Sequence, residues 1–440
     1  MQVLKAKSAT PSDLGGDAAV ARVVEEIISA VAAGGDDAVR SYSARLDGWE
    51  PANFRLDADE IEACLGRVPE QVLDDISFSQ AQVRLFAEAQ RGTMLDLEVE
   101  TLPGVRLGHR HIPVHSVGAY VPGGRYPMVS SAHMSIVTAK VAGVQRVAAC
   151  TPPLGGRVPD ATIAAMHLAG ADEIYVLGGV QALAAMALGT ETIAPVDFLA
   201  GPGNAYVVEA KRRLFGKVGV DLVAGPTEIL IVADESADPT ILAADLLGQA
   251  EHGPASPAVL ITTSLAVAEE TLRQVEAQLV DLRTADIAAA AWTDYGEVVV
   301  VDSDEEALRL ADAYAFEHVE IQTADPRWYL ERMRNYGALF LGEATTVAYG
   351  DKSIGTNHIL PTSGAARYTG GLWVGKYLKT VTYQECDDAA SVVVGEVSAR
   401  QSRVENFEAH ARSCDARVAK YTQVTASARE ETMISSRDAT

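Results

Sequence analysis

The chain has 440 residues, 48% of them hydrophobic, enough to bury at least two packed domains. With 36 basic against 60 acidic residues, the formal net charge is −24, which excludes nucleic acid and an anionic membrane as natural partners. Four cysteines without metal-like or disulfide-like spacing, no apolar run of membrane-spanning length and no apolar core in the opening "MQVLKAKSATPSDLGG" predict a cytoplasmic protein.

In chain order, residues 1–110 read as a helical segment attached to the main α/β unit. Residues 17–35, "DAAVARVVEEIISAVAAGG", carry apolar positions at helical spacing and stop at Gly34-Gly35, after which Asp36-Asp37 can cap a second helix. From about residue 110 short β-branched runs alternate with Ala-rich helices, the pattern of a parallel α/β sheet. "RVAACTPP" (146–153) predicts strand then turn, and "EIYVLGGVQALAAMALGT" (173–190) predicts strand, Gly-Gly turn and helix. "GPGNAYVVEAKRRLFG" (201–216) is a Gly-rich loop feeding a helix, and "TEILIVAD" (227–234) is a buried strand. These place a first α/β domain at 111–235 and a second at 236–386. The second contains "EVVVVDSDEEALRLADAYAFEHVEIQT" (297–323), read as strand, capping box Ser303-x-x-Glu306, helix, strand. Residues 387–424 predict a terminal helical segment, and 425–440 a polar, mobile tail. The expected fold class is α/β: two Rossmann-like domains with parallel sheets, N-terminal helices and a C-terminal helical segment.

Four separated stretches hold residues that can carry chemistry. In "GQAEHGP" (248–254), Gln249 and His252 fall on one face at the end of a helix that Asp238-Pro239 starts. Taken alone, that pair suits a capping or core-satisfying role better than a ligand. "FEHVEI" (316–321) sets Glu317 beside His318, a carboxylate next to the usual proton carrier near neutral pH, where a helix becomes a strand. "YGDKSIGTNHILPTSGAARYTGG" (349–371) is a long polar loop holding Asp351 and His358. "VENFEAHARSCDAR" (404–417) offers Glu405 and His410 on a helix. Histidine, aspartate and glutamine together are donors for a borderline divalent cation such as zinc. No G-x-S-x-G elbow, P-loop, cysteine cluster or G-x-G-x-x-G after a strand competes with that reading.

Together with "VGAYVPGG", "LGGVQALAAMALGTE", "GPGNAYVVEAKR" and "AGPTEILIVAD", these motifs resemble the histidinol dehydrogenase family, in order from about residue 20 to 420. The resemblance implies an NAD-linked, zinc-dependent enzyme that oxidises a primary alcohol through the aldehyde to a carboxylate, using two NAD molecules. It implies a homodimer whose C-terminal segment is swapped, so that each active site borrows residues from the other subunit. It implies Gln249, His252, Asp351 and the other subunit's His410 as zinc ligands, and Glu317 and His318 as the acid/base pair. Thr227, His358 and Glu405 would touch substrate, and Tyr120, Gln181 and Asn204 would line the NAD site. Thr227 stands where many relatives have serine. The chain departs from histidinol-oxidising relatives at Lys352, where they have tyrosine, and in "RYPMVSSAHMS" (125–135), which brings in Arg125, Tyr126 and His133. Cations beside the pocket suit an anionic substrate, and these stretches resemble a branch of the family, the sulfopropanediol 3-dehydrogenases. That branch implies 2,3-dihydroxypropane-1-sulfonate as substrate and sulfolactate as product. L-Histidinol stays as the alternative substrate, and a metal-dependent hydrolase using Glu317 or a catalytically dead ligand-binding relative as alternatives of other classes.

Overall fold

The computed structural model describes residues 1–8, 18–123, 127–222 and 225–437, with side chains described to residue 423. The chain forms two compact units, Met1–Arg91 with Pro113–Tyr377, and Gly92–Ile112 with the C-terminal stretch from Leu378. Among the described residues no helix is long and apolar enough to cross a membrane.

The first unit holds two sheets. One is a five-stranded, all-parallel sheet ordered Glu173–Val176, Arg146–Thr151, Ser116–Tyr120, Phe198–Ala200, Gly219–Val220. The other has six strands, ordered Gln2–Lys5, Gly296–Val300, Ala258–Thr262, Ile229–Ala233, His318–Gln322, Ala338–Leu341, and only Gln2–Lys5 runs antiparallel. Ser116–Tyr120, Ile229–Ala233 and Ala258–Thr262 are buried at every position. That is why they read as unbroken apolar runs: helices cover both faces of a parallel sheet. The expected α/β class with parallel sheets is therefore what the chain adopts.

Both sheets reverse direction at their middle. The chain leaves Ser116–Tyr120 for two strands on one side and returns with Phe198–Ala200 on the other; Ile229–Ala233 and His318–Gln322 make the same switch in the second sheet. Such a point opens a crevice beyond the carboxyl ends of the strands. The first sheet offers its carboxyl ends to the cavity described below, through Tyr120 and Asn204. The second offers its amino ends, through Thr227 and Glu317.

Several expected boundaries move. Gln2–Lys5 is an edge strand paired with Gly296–Val300, not part of a helical segment; four residues are too short for a period to show. "TEILIVAD" is central to the second sheet rather than the last strand of the first, so no division falls at residue 235. The two α/β halves cluster as one unit, since both share the cavity between them. The helix Ala18–Asp47 does break where expected, at Gly35 (φ 50°, ψ −134°). The Asp36 carboxylate, however, takes the Thr192 hydroxyl at 3.0 Å instead of capping the second half.

In the second unit, Leu97–Leu102 and Val105–Pro113 form an antiparallel hairpin, and the sheet order is Leu378–Cys386, Val105–Pro113, Leu97–Leu102. The hairpin was not expected, because its mostly exposed strands show little apolar contrast. Helices Asp388–Val404 and Glu408–Arg437 follow. The second of these continues to Arg437 where a tail was expected from 425. The run "TASAREETMISSR" has no Gly or Pro to stop it and several strong helix formers.

Candidate active site

A cavity of about 460 Å³ lies in the first unit, walled by the carboxyl edge of one sheet and the amino edge of the other. Thr227, His252, Glu317, His318, Asp351 and His358 line it on one side, and Tyr120 and Asn204 on the other.

Glu317 and His318 stand at the first turn into the strand His318–Gln322, both nearly fully buried. The His318 Nδ1 lies 3.1 Å from the carbonyl of Glu228. Only a protonated Nδ1 can use that partner, so Nε2 carries the lone pair, and among the described residues Nε2 has no hydrogen-bond partner. Burial lowers the imidazole to about 4, against the pull of Asp351 in the other direction. The contacts of 3.5 Å to Glu317 and 3.9 Å to Asp351 are thus made by a neutral ring, not an ion pair. Glu317 is pushed well above the usual carboxylate range, chiefly by burial, while the Thr227 hydroxyl opposes the shift. A relay runs through it: Gln249 Nε2 donates to Thr227 Oγ1 at 2.5 Å, and Thr227 donates to Glu317 Oε2 at 2.5 Å. The Glu228 amide is the second donor to Glu317 Oε2, at 3.2 Å.

Gln249 sits on the last turn of the helix Pro239–Ala250, which Asp238 caps as expected. His252 lies just past that helix, its amide on the Gln249 carbonyl at 3.2 Å, rather than on the final turn. Asp351 belongs to the short helix Val347–Lys352. Glu320 anchors that helix by accepting the Val347 amide at 2.9 Å, and Asp245 holds the preceding Thr346 hydroxyl at 2.9 Å. Gln322 Nε2 bridges the two carboxyl groups, 2.9 Å from each.

His252 Nε2 stands 4.0 Å from Asp351 Oδ2. Tetrahedral donors on one zinc sit about 3.4 Å apart, so this pair needs to close by about half an ångström. Gln249 and His252 share a second lobe of about 570 Å³ with Asp351, Lys352 and Arg283. The donor chemistry fits a borderline cation, although among the described residues no three His, Cys, Asp or Glu gather at metal distance. His410 and Glu405 belong to the second unit, on or just before the helix Glu408–Arg437.

Three of the expected residues are engaged by neighbours within the protein. His358 lines the cavity, but its ring is engaged by the Asp351 carbonyl at 3.1 Å and the Ser131 hydroxyl at 3.0 Å. His133 does not line the cavity: it is buried, bound to Gln80 at 3.1 Å and held neutral by burial at about 4, so it supplies no cation. Gln181 is 0% exposed and absent from the cavity wall; it donates to Asp47 at 3.0 Å, and Asp47 reaches the cavity. Arg125 lies outside the described residues. Tyr120 and Asn204 line the cavity, with Asn204 Oδ1 also capping the helix Ala205–Leu214.

The loop that presents Pro202 and Asn204 is tied from behind. Buried Lys211 donates to the Gly201 carbonyl at 2.6 Å and pairs with Asp221, which accepts the Gly201 amide at 2.8 Å. Gly201 has φ 121°, and a side chain there would strike the Tyr120 carbonyl.

Glu228 was overlooked, although a carboxylate directly ahead of an all-apolar strand signals a buried charge. Its carboxylate accepts the Ser363 amide at 2.9 Å and the Glu317 amide at 3.3 Å. Burial raises it from 4.5 to about 7. The folded state therefore holds this proton more tightly than the unfolded chain. Stability is unaffected by the group below about pH 4.5 and declines as pH climbs toward 7, by about 3 kcal/mol in full. Glu228→Gln keeps the acceptor and loses the titration. Its melting temperature is expected to fall less than that of the wild type between pH 5 and 8; parallel curves in calorimetry would contradict this.

The chain matches the histidinol dehydrogenase family over residues 13–418. A histidinol dehydrogenase homologue of Shouchella clausii is 58% identical over 402 residues, covering 91% of this chain and 95% of the relative. A sulfopropanediol 3-dehydrogenase of Ruegeria pomeroyi is 47% identical over 424 residues, covering 96% and 97%. The crystal structure of histidinol dehydrogenase from Elizabethkingia anophelis superimposes with a TM-score of 0.88 at 32% identity, covering 93% of this chain and 94% of that one.

Proposed function

The chain belongs to the histidinol dehydrogenase family of oxidoreductases, and from that premise we propose that it takes a small anionic primary alcohol through the aldehyde to a carboxylate. The observation that carries this reading is His318: a buried, neutral imidazole on the cavity wall with Nε2 free to accept a proton. Tyr120 and Asn204 would hold NAD along the opposite wall, where it would supply the acceptor for hydride in both rounds. Gln249, His252 and Asp351, with His410 of a second copy in a homodimer, would hold a zinc ion that polarises the substrate oxygen.

His318 Nε2 takes the hydroxyl proton as hydride leaves the carbinol carbon. The imidazolium so formed stands 3.5 Å from Glu317. An adjacent positive charge lowers a carboxyl pKa, so Glu317 gives up its proton to solvent and is a carboxylate when a base is next required. It then takes a proton from the water that attacks the aldehyde, and the resulting hydrate loses the second hydride.

Lys352 and Arg283 at the lobe beside Gln249 and His252 support an anionic head group, and the similarity to the sulfopropanediol 3-dehydrogenase of Ruegeria pomeroyi supports 2,3-dihydroxypropane-1-sulfonate, which the two oxidations would turn into sulfolactate. L-Histidinol is the second reading, favoured by Asp245 and Glu251 in the same lobe, which suit an ammonium group. Supplying each alcohol separately with NAD and zinc and following absorbance at 340 nm decides between them. No rise with either would refute the dehydrogenase reading in favour of a hydrolase.

Lys352→Tyr is expected to raise KM for the sulfonate with little change in kcat. A charge pair at about 4 Å contributes roughly 4 kcal/mol unscreened. Because Lys352 is exposed, solvent reduces that to about 1 kcal/mol, a factor of about five in KM. Unchanged kinetics would remove Lys352 from the substrate site.

A further inference from the structure

Asp47 is the last residue of the helix Ala18–Asp47, in a region that offered no sequence signal for a ligand. Its carboxylate nevertheless lines the same cavity as Tyr120, Gly179 and Asn204. One carboxylate oxygen accepts Gln181 Nε2 at 3.0 Å, and among the described residues the other oxygen has no hydrogen-bond partner. Gln181 is wholly buried, and among the described residues its own Oε1 has no partner. Burying an amide oxygen without a partner is unfavourable; what the arrangement achieves is a carboxylate held in one orientation at the cavity wall. Burial also raises the Asp47 carboxyl, as expected of a group withdrawn from water.

Strand order says which part of a dinucleotide would meet that carboxylate. Asn204 follows Phe198–Ala200, on the side of the switch point from which the chain continues to Thr227. Gly179 follows Glu173–Val176, at the opposite edge of the same sheet. A dinucleotide laid across such a switch point puts its nicotinamide toward the first side and its adenosine toward the second. Asp47 stands with Gly179, whose amide donates to the Tyr120 hydroxyl at 3.4 Å.

We infer that Asp47 binds the 2′-hydroxyl of the adenosine ribose and so selects NAD over its 2′-phosphorylated form, with Gln181 as its positioning residue. A hydroxyl donates to the free carboxylate oxygen. A phosphate at the same place brings like charge against it, and like-charge contact is the stronger part of such discrimination. The inference rests on the NAD-linked reading above.

The test titrates full-length, zinc-loaded protein with NADH and NADPH, following nucleotide fluorescence and needing no turnover. Wild type is expected to bind NADH at least about 30-fold more tightly than NADPH. Asp47→Asn, nearly isosteric, should weaken NADH about tenfold and strengthen NADPH, bringing the ratio near unity. Gln181→Met should shift the ratio in the same direction by about threefold, a readout that mere loosening of the fold, weakening both nucleotides alike, would not move. It also keeps the test alive if Asp47→Asn does not fold. A ratio unchanged in folded variants, or no preference in wild type, overturns the inference alone. Wild type that binds neither nucleotide overturns the NAD-linked reading itself.

Discussion

Turnover is expected to fall by about 10²- to 10⁴-fold in His318→Ala, with the capacity to bind zinc at the proposed site retained. The size of the loss follows from the ring's situation: its Nδ1 is committed to the Glu228 carbonyl, leaving Nε2 as a lone acceptor on the cavity wall. Neither of the other two buried imidazoles is free to substitute, since His358 is tied by Asp351 and Ser131, and His133 by Gln80. Metal content is the decisive second measurement. Asp351 has two imidazoles at nearly equal reach, His252 at 4.0 Å and His318 at 3.9 Å, so geometry alone treats them alike. Atomic emission on dialysed protein separates them: His252→Ala should lose zinc and His318→Ala should not. Zinc lost from both would make His318 a ligand and leave the proton without an acceptor. His318→Asn, able to keep the bond to the Glu228 carbonyl, controls for the void left in the core.

Glu317→Gln should divide the reaction in two. Oxidation of the supplied aldehyde is expected to fall by about 10²- to 10³-fold, and oxidation of the alcohol by no more than about fivefold. The amide oxygen can still accept from Thr227 and from the Glu228 amide, so the relay from Gln249 survives. Only the capacity to take a proton from water is lost. Equal losses in both half-reactions would mean that Glu317 acts by holding His318, and the proposed order of proton transfers would have to be abandoned.

Much of the fold was legible because parallel strands buried on both faces must be apolar throughout: "TEILIVAD" declared itself a strand without any partner in view. What could not be read was which sheet it joined. That depends on contacts with Ala258–Thr262 and His318–Gln322, both far along the chain. The hairpin at Leu97–Pro113 was illegible for the opposite reason, since exposed strands carry no apolar period.

At the site, side chains that act through their own chemistry were visible, and those that act through another residue were not. Glu317, His318, His252 and Asp351 are types whose adjacency or loop setting raises a question on its own, and they share one wall. Glu228 and Glu320 matter for the backbone amides they accept, and Asp47 for an amide that comes to it from 134 positions away. Gln181 shows the confusion between the two kinds: a motif position near the cofactor wall, buried one layer behind the surface it was expected to form.

The knot of Lys211 and Asp221 about Gly201 has a bearing on speed as well as shape. A loop whose amide and carbonyl are both clamped from inside has already surrendered its freedom during folding, so Pro202 and Asn204 already stand where the proposed nucleotide would meet them. Association there should proceed in a single phase, its rate proportional to nucleotide concentration, with no slow rearrangement to limit a stopped-flow trace.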